Sequence, residues 1–210
     1  TRSLSSAASD VYKRQGVIYS NEELKALGEV LKKYPRIVMI SDDIYNRLVF
    51  ESNLAPHILQ STPELRERTV LVNGVSKSYA MTGWRVGWAV GPEEIVGAMT
   101  KYLSQALGCG CTSSQHAALK AVKDGDAEVR RSVEVLRERL SKAYSGLDEI
   151  GFKSEMPGGA FYLWSNIKPF LGKSFEGKKL ETSRDFSEAL LNDQMVAIVP
   201  GLEFGVEGYV

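Results

Sequence analysis

Three short apolar runs, each rich in branched residues and each followed at once by polar ones, limit what this chain can fold into. They are residues 36–41 (RIVMIS), 69–73 (TVLVN) and 86–90 (VGWAV). Runs of this length, bounded by acidic or turn-forming residues, suit parallel strands buried on both faces. Helical patterns lie between them. Ser20 followed by Glu23 has the spacing of a capping box, and Leu24, Leu27 and Leu31 then mark one face until Pro35 ends the helix. Pro92, Glu93 and Glu94 open a second helix, with Ile95, Met99, Tyr102 and Leu103 on one face. Strands alternating with helices at short intervals predict an α/β fold on a mostly parallel sheet.

After Leu107 the texture changes. Residues 108–114 (GCGCTSS) read as a loop ending in an N-cap, followed by a helix over 115–123. A longer helix over about 127–147 carries Val129, Val133, Leu136, Leu140 and Tyr144 three or four apart, the stripe that a helix buries. Gly151-Phe152 ends it. Residues 160–165 and 196–199 read as strands, 185–192 as a helix between them, and the polar 168–183 as a surface excursion. We therefore expect residues 16–107 to belong to one α/β domain and 108–210 to a smaller α+β domain. Residues 1–15 (TRSLSSAASDVYKRQ) lack both the apolar core of a secretory signal and the patterning of the rest. They read as a leader foreign to the fold, with a transit peptide as the alternative.

Bulk composition mainly excludes. Lys plus Arg equals Asp plus Glu at 26 each, so no global field favours nucleic acid or an anionic membrane as partner. No apolar run approaches the roughly 18 residues that a membrane span needs. Two cysteines, Cys109 and Cys111, are too few for a disulfide scaffold, so a reducing, cytoplasmic compartment is the expectation. Their CxC spacing lacks the further Cys or His that a zinc site needs, and no metal is expected. His57 and His116 stand far from the polar clusters and read as structural or exposed.

In open α/β sheets ligands bind beyond the carboxyl ends of the strands. Three polar clusters fall there: Ser41-Asp42-Asp43-Ile44-Tyr45 after the first run, Asn73-Gly74-Val75-Ser76-Lys77-Ser78 after the second, and Arg85 before the third. Singly, each has an ordinary reading. Asp42 could cap a turn, Lys77 could be a solvated lysine, Arg85 could pair with a surface carboxylate, and Tyr45 could fill core. Trp84 and Trp88 read as core packing, and Gly74 and Gly83 as turn and close-approach positions. Together, a carboxylate, a phenol, a lysine and an arginine on one rim suit a charged, aromatic, phosphorylated ligand.

The string Ser76-Lys77-Ser78-Tyr79-Ala80-Met81-Thr82-Gly83-Trp84-Arg85 resembles the cofactor-lysine signature of class I aminotransferases of the fold-type I pyridoxal-phosphate group. Ser41-Asp42-Asp43-Ile44-Tyr45 is similar to the same family's pyridine-binding segment, at a similar distance from the lysine. Pro157-Gly158-Gly159-Ala160-Phe161-Tyr162 and Pro200-Gly201-Leu202-Glu203-Phe204-Gly205 resemble its small-domain landmarks. The resemblance runs from Gly16 to Val210 and implies pyridoxal 5'-phosphate as cofactor.

On this resemblance Lys77 is the Schiff-base lysine and proton carrier, since only a primary amine serves both ends. Asp42 pairs with the pyridine nitrogen and keeps the ring an electron sink. Tyr45 hydrogen-bonds the ring's 3-oxygen. Arg85 offers the phosphate a planar fork, and Ser76 adds a hydroxyl. The implied reaction is ping-pong amino transfer between an L-amino acid, aspartate first, and 2-oxoglutarate, by a homodimer. A cysteine-sulfur β-lyase on the same scaffold and the effector domain of a transcription regulator are the alternatives. The family's Asn-Pro segment would fall before Gly16, and Gly208-Tyr209-Val210 resembles the run into its substrate-carboxylate arginine. The expectation is therefore that the 210 residues by themselves do not turn over.

Overall fold

A computed structural model describes residues 15–210, so the leader expected over 1–15 lies, but for its last residue, outside the described residues. The chain divides into two compact units. One is Ile18–Val135; the other joins Leu136–Val210 to residues 15–17. Leu107, where the sequence texture changes, falls inside the first unit.

The first unit begins with α1 (Asn21–Lys32), capped as its sequence requires. Ser20 Oγ accepts from the Glu23 amide at 3.1 Å, and Glu23 Oε2 accepts from the Ser20 amide at 2.8 Å. Leu24 and Leu31 pack with Ile58, Leu65 and Met39. Leu27, expected on that face, is exposed, and Gly28 is buried in its stead against Thr62. The buried stripe is thus 24–28–31, rotated from the leucine pattern because Gly28 allows the closer approach. Arg68 then closes the far end of α1. Its guanidinium donates to the carbonyls of Leu31 (2.7 Å), Tyr34 (2.8 Å) and Ile37 (2.9 Å), groups a helix end otherwise leaves to water.

Strands β1 (Met39–Asp42), β2 (Thr69–Gly74) and β3 (Gly87–Val90) form one sheet in that order. β1 and β2 are parallel, with Asp42 opposite Val72; β2 and β3 are antiparallel, with Gly74 opposite Gly87. The sheet is therefore mixed. Only the centre is buried as expected: Thr69 and Val70 of β2 are sealed, whereas Ile40 is 71% and Val90 60% exposed. The cause is alternation. Met39 points to the α1 cluster, so Ile40 must point away from it.

Short α2 (Ile58–Ser61) and a 3-10 turn over Pro63–Arg68 link β1 to β2. After β3 come α3 (Glu93–Ala106) and α4 (Thr112–Asp124). The apolar face expected on α3 stays exposed at Met99, Tyr102 and Leu103. α4 starts three residues before the expected 115, with Cys111 at its N-cap. The Ser113 hydroxyl, 3.1 Å from Cys111 Sγ, acts with the Ser114 amide to hold this thiol down at about 7.

Helix α5 (Asp126–Glu149) has residues in both units. Val129, Val133 and Leu140 are buried and Leu136 and Tyr144 half-buried, the stripe read from sequence. In the second unit, β4 (Lys153–Ser154) pairs with β5 (Ser165–Asn166). Ser165 exchanges hydrogen bonds with Val210 at 2.9 and 3.0 Å. The strand expected over 160–165 survives only at Ser165, because Ala160 turns left-handed (φ 59°) after the Pro-Gly-Gly. The strand expected over 196–199 does not form; Val196 and Val199 are each 47% exposed, and no ladder partner stands beside them among the described residues. Hairpin β6 (Ser174–Phe175)/β7 (Lys178–Lys179) occupies the polar excursion, turning on Glu176 and Gly177, both at positive φ. α6 (Ser183–Gln194) starts at a Thr182–Asp185 capping box. Phe152, Phe170 and Phe186 form a triangle with ring centroids 5.0–5.9 Å apart around this core.

Two measurements check this reading. Leu65→Ala should lower unfolding free energy in urea by about 2–5 kcal/mol, whereas Leu27→Ala should change it by less than about 0.5 kcal/mol. Alkylation with iodoacetamide should label Cys111 faster than the equally free Cys109 at neutral pH, with half-maximal rate at a pH of about 7.

Candidate active site

The sheet's directions decide which side chains meet. β1 and β2 run parallel, so their carboxyl ends share one rim; β3 runs back, so its amino end joins the same rim. Asp42 closes β1, Ser76 and Lys77 follow β2, and Arg85 precedes β3. The topology therefore gathers all three polar clusters at one edge.

The loop from β2 to β3 is tightly wound. Gly74 lies so near β3 that an added β-carbon would meet Val86 O at 2.8 Å and Gly87 Cα at 3.1 Å. Gly83, by contrast, has open space around it and no positive φ. The Val75 amide donates to Val86 O, Met81 N to Val75 O, and Ala80 N to Lys77 O. Val75 is fully buried and Ser78 3% exposed, which pins the chain on either side of Lys77. Lys77 Nζ sits 5.6 Å from the centre of the Tyr45 ring. Ser76 is half-buried beside it. Arg85 is exposed, takes the left-handed conformation (φ 55°), and donates from Nη1 to Thr82 O at 2.9 Å. Trp84, expected in the core, is 46% exposed beside it.

The acidic segment is braced from several sides. The Asp43 amide donates to Val72 O at 2.9 Å, extending the ladder one residue past β1. Asp42 is exposed, and its Oδ1 accepts from the Ile44 amide at 3.2 Å. Asn46 Oδ1 accepts from Asn73 Nδ2 at 3.3 Å, tying the turn to β2.

Three features were not legible in the sequence. His57 Nε2 lies 3.1 Å from Asp43 Oδ2, although 14 positions separate the two residues and nothing in composition links them. The Ser78 hydroxyl is buried with no hydrogen-bond partner among the described residues, a donor left over next to Lys77. Arg47 reaches Tyr79 Oη at 2.8 Å and Asp126 Oδ1 at 2.6 Å, holding the Asp126 carboxyl below its usual range. Arg47 also borders a cavity of about 670 Å³ with Phe50, Leu54, Val129 and Val133, which contains none of Asp42, Lys77 or Arg85.

The donor set fits a pyridoxal-phosphate group: a primary amine, a carboxylate, a phenol, a guanidinium, and hydroxyls at Ser76 and orphaned Ser78. Among the described residues no group of three or more metal-ligating side chains occurs, and no helix is long and apolar enough to cross a membrane.

Known proteins point the same way. The family model for aminotransferases of class I and II matches residues 13–210. The chain is 39% identical over 196 residues to a probable aspartate/prephenate aminotransferase of Rickettsia felis, covering 92% of this chain and 48% of that protein. It is 40% identical over 191 residues to an asparagine--oxo-acid transaminase of Streptococcus mutans, covering 90% and 47%. The crystal structure of the aspartate aminotransferase from Rhizobium meliloti superposes with a TM-score of 0.88 at 38% identity, over 92% of this chain and 49% of that one. The aromatic aminotransferase of Pyrococcus horikoshii gives 0.81 at 32% identity, over 93% and 50%. The chain spans about half the length of the relatives it matches. With an α/β fold, a lysine loop and an acidic turn on one rim, it belongs to the class I and II aminotransferases.

Proposed function

We propose that the protein carries out pyridoxal-phosphate-dependent amino transfer, with aspartate as first donor and 2-oxoglutarate as acceptor in a ping-pong cycle. The observation that carries this reading is the common rim, where Lys77 Nζ stands 5.6 Å from the Tyr45 ring at the mouth of the sheet. The aspartate preference is supported by the names of the relatives in Rickettsia felis and Rhizobium meliloti.

When bound, the cofactor supplies an aldehyde carbon and an electron-withdrawing ring. Lys77 would hold the cofactor through its Nζ amine, and the same amine is the group that would carry a proton to and from the substrate Cα. Asp42 would pair with the ring nitrogen and favour its protonated form. Tyr45 would donate its hydroxyl to the ring 3-oxygen. Arg85 and Ser76 would hold the phosphate, the guanidinium because its planar fork suits adjacent phosphate oxygens. The exposed Tyr102, Leu103 and Leu107 of the α3 region are apolar surface that a homodimer of the whole protein would cover. The cytoplasm is the proposed compartment, in keeping with two free thiols.

Incubating the chain with pyridoxal phosphate, reducing with borohydride and mapping peptides should place the added mass on Lys77. Lys77→Ala should remove it; an unchanged adduct would sink the assignment. In the whole protein, Asp42→Asn should lower kcat for oxaloacetate formation from aspartate by about 10²-fold or more. Pyruvate release from cystathionine in place of oxaloacetate would instead identify a β-lyase.

A further inference from the structure

We infer that His57 is a positioning residue which, through Asp43, holds the turn carrying Asp42 and Tyr45 in place for the cofactor; this rests on the aminotransferase reading of the site. The imidazole is used at both nitrogens. Nδ1 accepts from the Leu59 amide at 3.1 Å, capping α2. A nitrogen that accepts carries no proton, so the neutral ring must bear its N–H on Nε2. Nε2 is buried, and the Asp43 carboxylate 3.1 Å away is the acceptor it faces, though the contact is not aligned as an ideal hydrogen bond.

Asp43 is the hub of the turn. Its Oδ1 accepts from Ser41 Oγ at 2.7 Å, its amide donates to Val72 O at 2.9 Å, and its carbonyl accepts from the Asn46 amide at 2.9 Å. The side chains of His57 and Asp43 are only 17% and 14% exposed, so water screens the pair little. Asp42 and Tyr45 flank this hub in sequence, so whatever fixes Asp43 also fixes the backbone from which both side chains project. A carboxylate meant to meet a ring nitrogen must be placed to within a fraction of an ångström. His57 supplies that from outside the turn.

Two substitutions separate positioning from helix capping. Asparagine places an acceptor where Nδ1 stands and keeps the cap, but is too short to reach Asp43. Glutamine places an N–H where Nε2 stands and gives up the cap. Positioning predicts that His57→Asn weakens pyridoxal-phosphate attachment at Lys77 by about tenfold or more and His57→Gln by no more than about twofold. It also predicts faster amide hydrogen exchange over residues 42–46 in His57→Asn alone. The reverse order, or equal behaviour of both variants and the wild type, overturns the inference. Failure of the wild-type chain to attach the cofactor at Lys77 overturns the aminotransferase reading instead, and the exchange rates then still judge whether His57 braces the turn.

Discussion

Every polar group at the rim owes its place to where the ladder between β1 and β2 stops. Asp42 faces Val72 in the last parallel pair, and the Asp43 amide adds one more rung before the chain turns away. A slip of one residue would exchange the two carboxylates between the sheet's faces. The antiparallel return of β3 matters equally, since a parallel third strand would have carried Arg85 to the opposite edge. Direction and register together replace any need for the three segments to be close in sequence.

Much of this was legible in the residues themselves. The capping box at Ser20 and Glu23, the stripe from Val129 to Tyr144, and the strand over Thr69–Gly74 each follow from short-range rules. The lysine string and the acidic segment carried the family resemblance that the comparisons bear out. Patterns failed where a neighbour decides. Ile40 and Tyr102 are apolar enough for a core, yet nothing among the described residues covers them. Residues 196–199 have strand composition without a ladder to join.

What stayed hidden has a common physical form: a side chain far along the chain that satisfies backbone or carboxylate groups elsewhere. Arg68 gathers three carbonyls at the end of α1, and His57 meets Asp43 across a loop. Neither belongs to a periodic pattern, and both residue types are ordinary on surfaces. Contacts of this kind lie at the level of tertiary packing, where periodicity carries no information.

The left-handed backbone at Arg85 has a consequence for how this loop can vary. A side-chain-bearing residue in that conformation costs about 1–3 kcal/mol relative to a relaxed one. Glycine would adopt the same bend without strain. A search for hardier variants would thus be drawn to glycine at this position, and each such gain would strip the rim of its guanidinium. If Arg85 holds the phosphate as proposed, thermal robustness and anion capture would pull against each other at this single residue.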